Sequence, residues 1–472
     1  MSPERADQDV EGGTVAQLAA AVRAGDLAGV GAILEARPEL VHMDAAENDE
    51  RRALHYAVLD RAPEMVRLLM RHDADARKGI YPYRDATSPL AIATDRGYGE
   101  LVAIIADEEH RRSAVSVNRP GASSAMVPEI SPVEQAVTRG DAAWLRARYA
   151  ERTPANPGVI DILAPPSGLL TLAVKHDQPE ILSLLLDLGF DPDERMRLKN
   201  LETAEYSWGM PLWHCAALKR HAMAETLLKR GADPNGRVYA SGSPVFSAYR
   251  QGDRAMIELL QRYGGVTDAV TVAMHGETTL AAKMLTGELD GRIQDGLFAG
   301  ATVAEQLLWG AADGGYPGIV RMALPDVDWP RDDPRWYGML WRPFPGPAPR
   351  PDFARYLECF GLILERGDPN APGSFGRTLL HDIAVRGAPD EQVAFAIQLV
   401  DRGARLDVRD DLLMSTPLGW ACRWGRTELA TLLLARGADP VEADAEPWAS
   451  PRAWAEKMRH LAVLDLLPPA RA

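Results

Sequence analysis

Two stretches of the chain share one order of apolar and polar positions. Residues 415–440 read STPLGWACRWGRTELATLLLARGADP and residues 210–235 read MPLWHCAALKRHAMAETLLKRGADPN. Each predicts a turn, a short helix with proline at its first positions, a break, a longer helix with a Leu-Leu pair, then Gly and an Asp-Pro turn. Proline suits a helix start because its missing N–H has no intrahelical partner there. Glycine past the last turn takes the left-handed conformation that ends the helix. No uninterrupted apolar run approaches the ~18 residues that a membrane-spanning helix needs.

The pattern recurs along the chain. Aligned on the first residue of the turn-helix box, it falls at Ala16, Arg52, Ser88, Ser131, Ser167, Met210, Ser243, Thr267, Glu305, Thr378, Thr416 and Ser450. Gly25, Gly97, Gly140, Gly252, Gly276, Gly314, Gly387 and Gly425 stand nine positions later. This arrangement resembles the ankyrin repeat, whose signature is a Thr-Pro-Leu-His box, a double alanine, a Gly between the helices and Gly-Ala-Asp after the second. The resemblance runs over roughly Thr14 to Leu467 and is strongest at 52–79, 209–236, 376–407 and 415–440. It implies an all-α solenoid of about 12 helix-turn-helix units, with hairpin-like loops and long insertions. One such unit cannot bury its own apolar face, so stacking must supply the core. That places Leu54, Leu90, Leu212, Leu380 and Leu418 in the core, with Leu68, Leu69, Leu185, Leu186, Leu227, Leu228, Leu433 and Leu434 beside them.

The expected organisation is a disordered start at 1–13, an ankyrin block at 14–112, a linker or long loop at 113–130, and blocks at 131–300 and 301–472. The linker reading rests on the polar stretch Asp107 to Pro128, which carries NRPGASS. The last block holds an insertion at 325–352. The double-length interval from Glu305 to Thr378 predicts one divergent unit, with helices near Trp336–Arg342 and Phe353–Arg366 on either side of PFPGPAPRP.

Charge narrows the partners. The chain has 67 acidic and 52 basic residues, a formal charge of -15, and general affinity for nucleic acid needs a basic surface that releases counterions. Neither nucleic acid nor membrane is expected as a partner. Cys215, Cys359 and Cys422 lie far apart in helical patterns, which argues against a disulfide framework and for a reducing compartment. Met1 to Gly13 is polar and acidic, unlike a secretory signal, so the cytoplasm is the expected location.

Catalytic signatures are missing: there is no phosphate-binding loop, zinc-protease helix, nucleophile elbow, Cys-x-x-Cys pair or dinucleotide fingerprint. No cofactor or metal is implied. The resemblance gives His55 and His381 a structural role, hydrogen-bonding neighbouring backbone. His214, Cys215 and His221 are ligand types that suit zinc, but one helix and its turn do not close a tetrahedron without a remote fourth group. The run Asp326 to Phe344, DVDWPRDDPRWYGMLWRPF, combines four aspartates with three tryptophans. Turn chemistry accounts for its Asp-Pro steps. An aromatic-walled pocket there would instead raise a carboxyl pKa. If the fold encloses an enzyme or small-molecule pocket, with the loops 190–209 and 325–352 around it, Asp313, Asp326, Asp328 and His214 are the candidates for proton transfer.

The resemblance also implies a binding surface on the concave side, at the fifth, eighth and ninth box positions and the loop tips. Those positions reverse the sign of the chain, with Arg23, Arg96, Arg139, Lys175, Arg250, Arg386 and Arg423 against Asp60, Asp95, Asp313 and Asp382. Tyr56, His214, Trp309, Trp420 and Trp424 join them, and Tyr81, Tyr83, Arg84, Asp85, Trp208, Arg237 and Tyr239 sit on neighbouring loops. Trp and Arg dominate binding hot spots. The sequence therefore predicts a scaffold that recognises a protein or other ligand on an Arg/Trp-enriched inner face.

Overall fold

The computed structural model describes residues 13–45, 49–81, 83–117, 131–150, 168–194, 196–197, 202, 206–207, 210–236, 242–289, 300–344 and 352–469. The chain divides into two compact units, Met1–Gly265 and Val266–Ala472. Both are built from successive pairs of short helices.

In the first unit the pairs are Val15–Arg23 with Leu27–Ala36, Ala53–Leu59 with Pro63–Arg71, Pro89–Asp95 with Gly99–Val117, Pro132–Arg139 with Ala142–Ala150, Leu169–Lys175 with Pro179–Asp187, Met210–Ala217 with His221–Lys229, and Pro244–Arg250 with Arg254–Arg262. The second unit pairs Ala269–Met274 with Thr278–Leu285, Val303–Gly314 with Pro317–Ala323, Arg335–Trp341 with Phe353–Leu364, Leu379–Ile383 with Pro389–Asp401, Pro417–Arg423 with Thr427–Ala435, and Pro451–Lys457 with Leu461–Leu464. The divergent unit expected between Glu305 and Thr378 is the third of these.

One local grammar makes most of the pairs. Ser88, Ser131, Ser243, Thr416 and Ser450 cap their helices by accepting an N–H with the side-chain hydroxyl, each followed by proline. The first helix then stops at a left-handed residue, for example Gly140 (φ 75°) or Gly425 (φ 63°). Four pairs take this turn without glycine, at Arg61, Asp177, Lys219 and Arg459, with φ between 51° and 58°. Side chains near this turn stitch a pair to the one before it: Gln178 Nε2 donates to Thr138 O at 3.1 Å and Arg426 Nε to Ala384 O at 2.8 Å. Asn235 and Asn370 do the same at the far end of the second helices, donating to Gly264 O and Gly403 O at 3.0 and 3.1 Å.

The register differs from the sequence alignment at four pairs, which are capped by Thr14, Gly168, Asp268 and Thr302 rather than beginning at Ala16, Ser167, Thr267 and Glu305. At the last of these, Glu305 is the third residue of the helix, and its carboxylate accepts from Thr302 N at 2.7 Å. The left-handed glycine is accordingly Gly315, at φ 69°, not Gly314. Gly310 and Gly314 instead let this helix lie directly on Val270 and Met274, where a Cβ at either would overlap backbone.

The first unit holds two apolar clusters, one within Val15–Ile105 and one within Val133–Leu260. Of the leucines expected in the core, Leu68, Leu90 and Leu434 are half-buried and the others are buried. Asp107–Val117 continues the helix that starts at Gly99 and is not a loop. Its polar residues are good helix formers, and Glu108 pairs with Arg111 one turn on at 2.7 Å. Residues 118–130, the rest of that expected linker, lie outside the described residues.

The long loop after Gly189 departs from an all-α fold. Met196–Arg197 and Tyr206–Ser207 pair as antiparallel strands. Glu202, between them, reaches the first helix pair: its carboxylate accepts Val15 N at 2.7 Å and pairs with Arg37 Nη1 at 2.7 Å. No helix among the described residues is long and apolar enough to cross a membrane.

Candidate binding face of the second unit

The fifth box position, expected on the accessible face, points inward in the second unit. Trp420 and Asp382 are 0% exposed. Each is held by polar groups that explain its burial. Trp420 donates its indole N–H to Asp410 Oδ1 at 2.8 Å, and the same carboxylate accepts Leu412 N, Leu413 N and Ser415 N at 2.7–3.1 Å. Trp454, at the fifth position of the last pair, donates to Ser415 Oγ at 2.8 Å. Asp382 pairs with Arg377 at 2.5 Å and accepts the Tyr337 hydroxyl. Burial, with Asp382 beside it, holds the Tyr337 hydroxyl well above its ordinary pKa. Gly373 lies against that ring, where any Cβ would overlap it.

His381 sits in this layer. Its Nδ1 accepts Thr378 N at 2.9 Å and its Nε2 faces Ser415 O at 3.2 Å. Burial depresses its pKa, so the ring is the neutral tautomer with the proton on Nε2. His55 caps its own helix in the same way, accepting Arg52 N at 3.0 Å. Both histidines tie turns together.

A row of cations and aromatic rings lies beside this layer. Arg342 stacks on Trp309, with Cζ 3.7 Å from the ring centroid, and sits 5.6 Å from Trp341. Arg386 lies 4.4 Å over Trp341. Three successive helix pairs thus contribute a connected group, Trp309, Arg342, Trp341 and Arg386. Trp341, Arg342 and Arg386 are half-buried, and Trp309 is 9% exposed, a floor for Arg342 and not a free surface. A second group follows: Arg423 lies 4.7 Å from Trp424 and 5.2 Å from Trp454, and Lys457 lies 5.6 Å from Trp454. Arg423, expected to be accessible, is 4% exposed because these two rings enclose it.

Sequence reading missed Trp341 and Arg342. They belong to the divergent pair, whose box matches no family letter; the signal on offer was the clustering of Trp and Arg in RWYGMLWR, residues 335–342.

The remaining expected residues are dispersed. In the first unit Tyr56 is half-buried beneath Arg23 and Arg51, at 5.9 and 5.2 Å, while Asp60, Arg139, Lys175 and Arg250 are exposed and Arg96 is half-buried. Tyr83, expected at a loop tip, is only 3% exposed because the turn around Ile80 and Thr87 folds over it. Arg84 is exposed and pairs with Glu50 at 3.1 Å. Trp208, Arg237 and Tyr239 lie outside the described residues.

His214 belongs to the first unit and Asp313, Asp326 and Asp328 to the second. Asp326 and Asp328 are exposed on a turn. His214 is half-buried, and burial together with Lys175 lowers its pKa to about 4. Cys215 is in the core, and His221 pairs with Asp253 at 2.9 Å. Among the described residues no three His, Cys, Asp or Glu side chains gather as metal ligands. The Asp/Trp run closes on itself: Trp329 donates to Glu305, Trp336 Nε1 donates to Pro330 O at 2.8 Å, and Arg335 holds Asp333 at 2.8 Å. That ion pair keeps the Asp333 carboxyl below its ordinary range rather than raising it. The three cysteines are free and buried, and burial pushes each thiol up.

Comparison with known proteins agrees with this part of the fold. Residues 353–444 match a family model described as ankyrin repeats (3 copies). The chain is 40% identical over 85 residues to Palmitoyltransferase Hip14 of Drosophila melanogaster, covering 18% of this chain and 13% of that protein. It is 36% identical over 95 residues to Palmitoyltransferase ZDHHC13 of Homo sapiens, covering 20% of this chain and 15% of that protein. The match thus spans about one seventh of these relatives. Residues 353–444 carry ankyrin repeats, and they include Arg386, Arg423 and Trp424 of the cationic row.

Proposed function

We propose that this protein is an interaction scaffold and that its second unit holds a protein partner on the group Trp309, Arg342, Trp341 and Arg386. Ankyrin repeats across 353–444 support a protein-binding role. The observation that carries the reading is the placement of a half-buried Trp341 under Arg386 and beside Arg342. The four side chains come from three successive helix pairs or their turns, so the packed core holds the group in place. An aromatic platform fixed in this way loses little conformational entropy when it is covered. The transferase activity in the relatives' names is not carried over, because the shared segments cover 18–20% of this chain. We place the protein in the cytoplasm, a reading supported by its acidic composition and three free cysteines.

The test is selection from a displayed library of random 12-residue peptides on the immobilised full chain. Peptides enriched by the wild type should bind Trp341→Ala at least about tenfold more weakly, as truncation of a hot-spot aromatic does. Lys175→Glu in the first unit should bind them unchanged. Equal binding of the selected peptides by Trp341→Ala would sink the proposal.

A further inference from the structure

We propose that Asn235 is a site of spontaneous covalent modification: the backbone nitrogen of Gly236 attacks its side-chain amide, ammonia leaves, and the residue becomes aspartate or isoaspartate. The change removes a hydrogen bond that ties the sixth helix pair of the first unit to the seventh. It does not rest on the scaffold reading.

Two turns of the chain form a matched pair. After His221–Lys229 the chain reads Asp233-Pro234-Asn235-Gly236, and after Phe353–Leu364 it reads Asp368-Pro369-Asn370-Ala371. In both turns the aspartate carboxylate accepts the asparagine backbone N–H at 2.8 Å. The aspartate carbonyl accepts the N–H of the fourth residue, Gly236 or Ala371, at 3.1 Å. Each asparagine Nδ2 donates to a glycine carbonyl of the next helix pair, Gly264 O at 3.0 Å and Gly403 O at 3.1 Å. Both asparagines are half-buried. The turns differ in the residue that supplies the attacking nitrogen. Gly236 is half-buried and has no Cβ, whereas Ala371 has one and is 1% exposed.

The step needs only water. The Gly236 nitrogen gives up its proton and bonds to Asn235 Cγ, the Cγ–Nδ2 bond breaks, and Nδ2 leaves as ammonia, which closes a five-membered imide. Water then opens the ring at one of its two carbonyls. Opening at Cγ gives aspartate; opening at the former backbone carbonyl gives isoaspartate, with the chain running through Cβ and Cγ. A Cβ on the attacking residue crowds the approach to Cγ, and glycine is the residue that lets backbone come close. In the folded turn the Gly236 N–H is committed to Asp233 O and the leaving nitrogen to Gly264 O. Attack therefore waits for a local opening of this seam, and each conversion records one.

Either product puts an acceptor where Asn235 had a donor. Gly264 O loses that partner and meets a carboxylate instead, which costs more than the loss of the bond alone. The new charge also sits beside Asp233, whose carboxylate already accepts Asn235 N. Asp193 belongs to the same group, with both of its oxygens 3.0 Å from Asp233 N. Burial, with Asp191 and Asp233 near it, already holds the Asp193 carboxyl above its ordinary range, so one more carboxylate adds to an existing repulsion.

The test is to hold the full chain for days in warm, mildly alkaline buffer and map its peptides by mass spectrometry, with isoaspartate detected by enzymatic methylation. Asn235 should convert at least about tenfold faster than Asn370, a barrier difference of about 1.4 kcal/mol. Gly236→Ala, a side chain that the matched turn accepts at Ala371, should bring Asn235 down to the rate of Asn370. Conversion of both asparagines at one rate, no conversion at Asn235, or conversion that Gly236→Ala leaves unchanged overturns the modification site. The effect on the seam is read separately from Asn235→Asp, which mimics one product. Amide hydrogens of Arg254–Arg262 should exchange at least about threefold faster in that variant, the scale of one lost hydrogen bond, with those of Val15–Arg23 unaffected. Equal exchange in the variant and the wild type overturns the loosening of the seam.

Discussion

At the scale of single residues, the molecule spends its polar side chains on holding turns. His55 and His381 each serve as the acceptor that a helix start otherwise lacks, and both are buried. Burial costs the charged form its hydration, and for His55 it lowers the pKa from 6.5 to about 4. A folded-state value below the unfolded one means that the unfolded chain binds the proton more tightly. The stabilisation is therefore complete above about pH 6.5 and is lost as pH falls toward 4. The difference corresponds to roughly 3 kcal/mol at one site. Urea midpoints measured at pH 7.5 and 4.5 should separate for the wild type, and His55→Gln should narrow that separation. A pH dependence that survives the substitution intact would assign it to other groups. Both histidines were legible from their place in the box, because the box requires an acceptor there. The inward turn of Trp420 and Asp382 was not, because a position in a repeat does not reveal what the preceding loop offers it. Asp410, ten residues upstream, holds Trp420 inside.

At the scale of the helix pair, the turn between the helices is the most regular feature and also carries a defect. Lys219 takes the left-handed conformation at φ 58° that glycine holds in most pairs. A side chain there meets its own backbone. Lys219→Gly should raise stability by about 1 kcal/mol, read as a higher urea midpoint with unchanged slope. An unchanged or lower midpoint would show that the lysine side chain contributes more than the turn costs. Glycine spacing made most pairs visible in the sequence, and it also misplaced one of them. Before the Gly314-Gly315 pair the register slipped by three residues, because this first helix runs for 12 residues, Val303–Gly314, and counting nine back from Gly314 lands inside it, at Glu305, rather than at its Thr302 cap. The polar helix through Asp107–Val117 was hidden for a different reason: its charges pair along the helix surface, which composition alone reads as a loop. The candidate site was half legible. Arg386 and Trp309 were found by position, whereas Trp341 and Arg342 belong to the pair that has no box.

At the scale of the whole chain, two units each carry their own helix pairs, and ankyrin repeats are established for 353–444. In a repeat array each pair leans mainly on its neighbours in sequence. In the first unit Glu202 adds a distant hold, joining Arg37 and Val15 across 165 and 187 residues of sequence. Like a thread carried back along a seam, this contact restrains the first helices from opening alone. Amide hydrogens in Val15–Arg23 should then exchange more slowly in the wild type than in Glu202→Ala, with those of Thr427–Ala435 unaffected. Equal exchange would mean that the loop rests on the first pair without restraining it. A restrained first pair ties its lifetime to that of the loop that follows the fifth pair, so a protease or a binding partner that displaces the strand pair Met196–Arg197 and Tyr206–Ser207 would loosen Val15–Ala36.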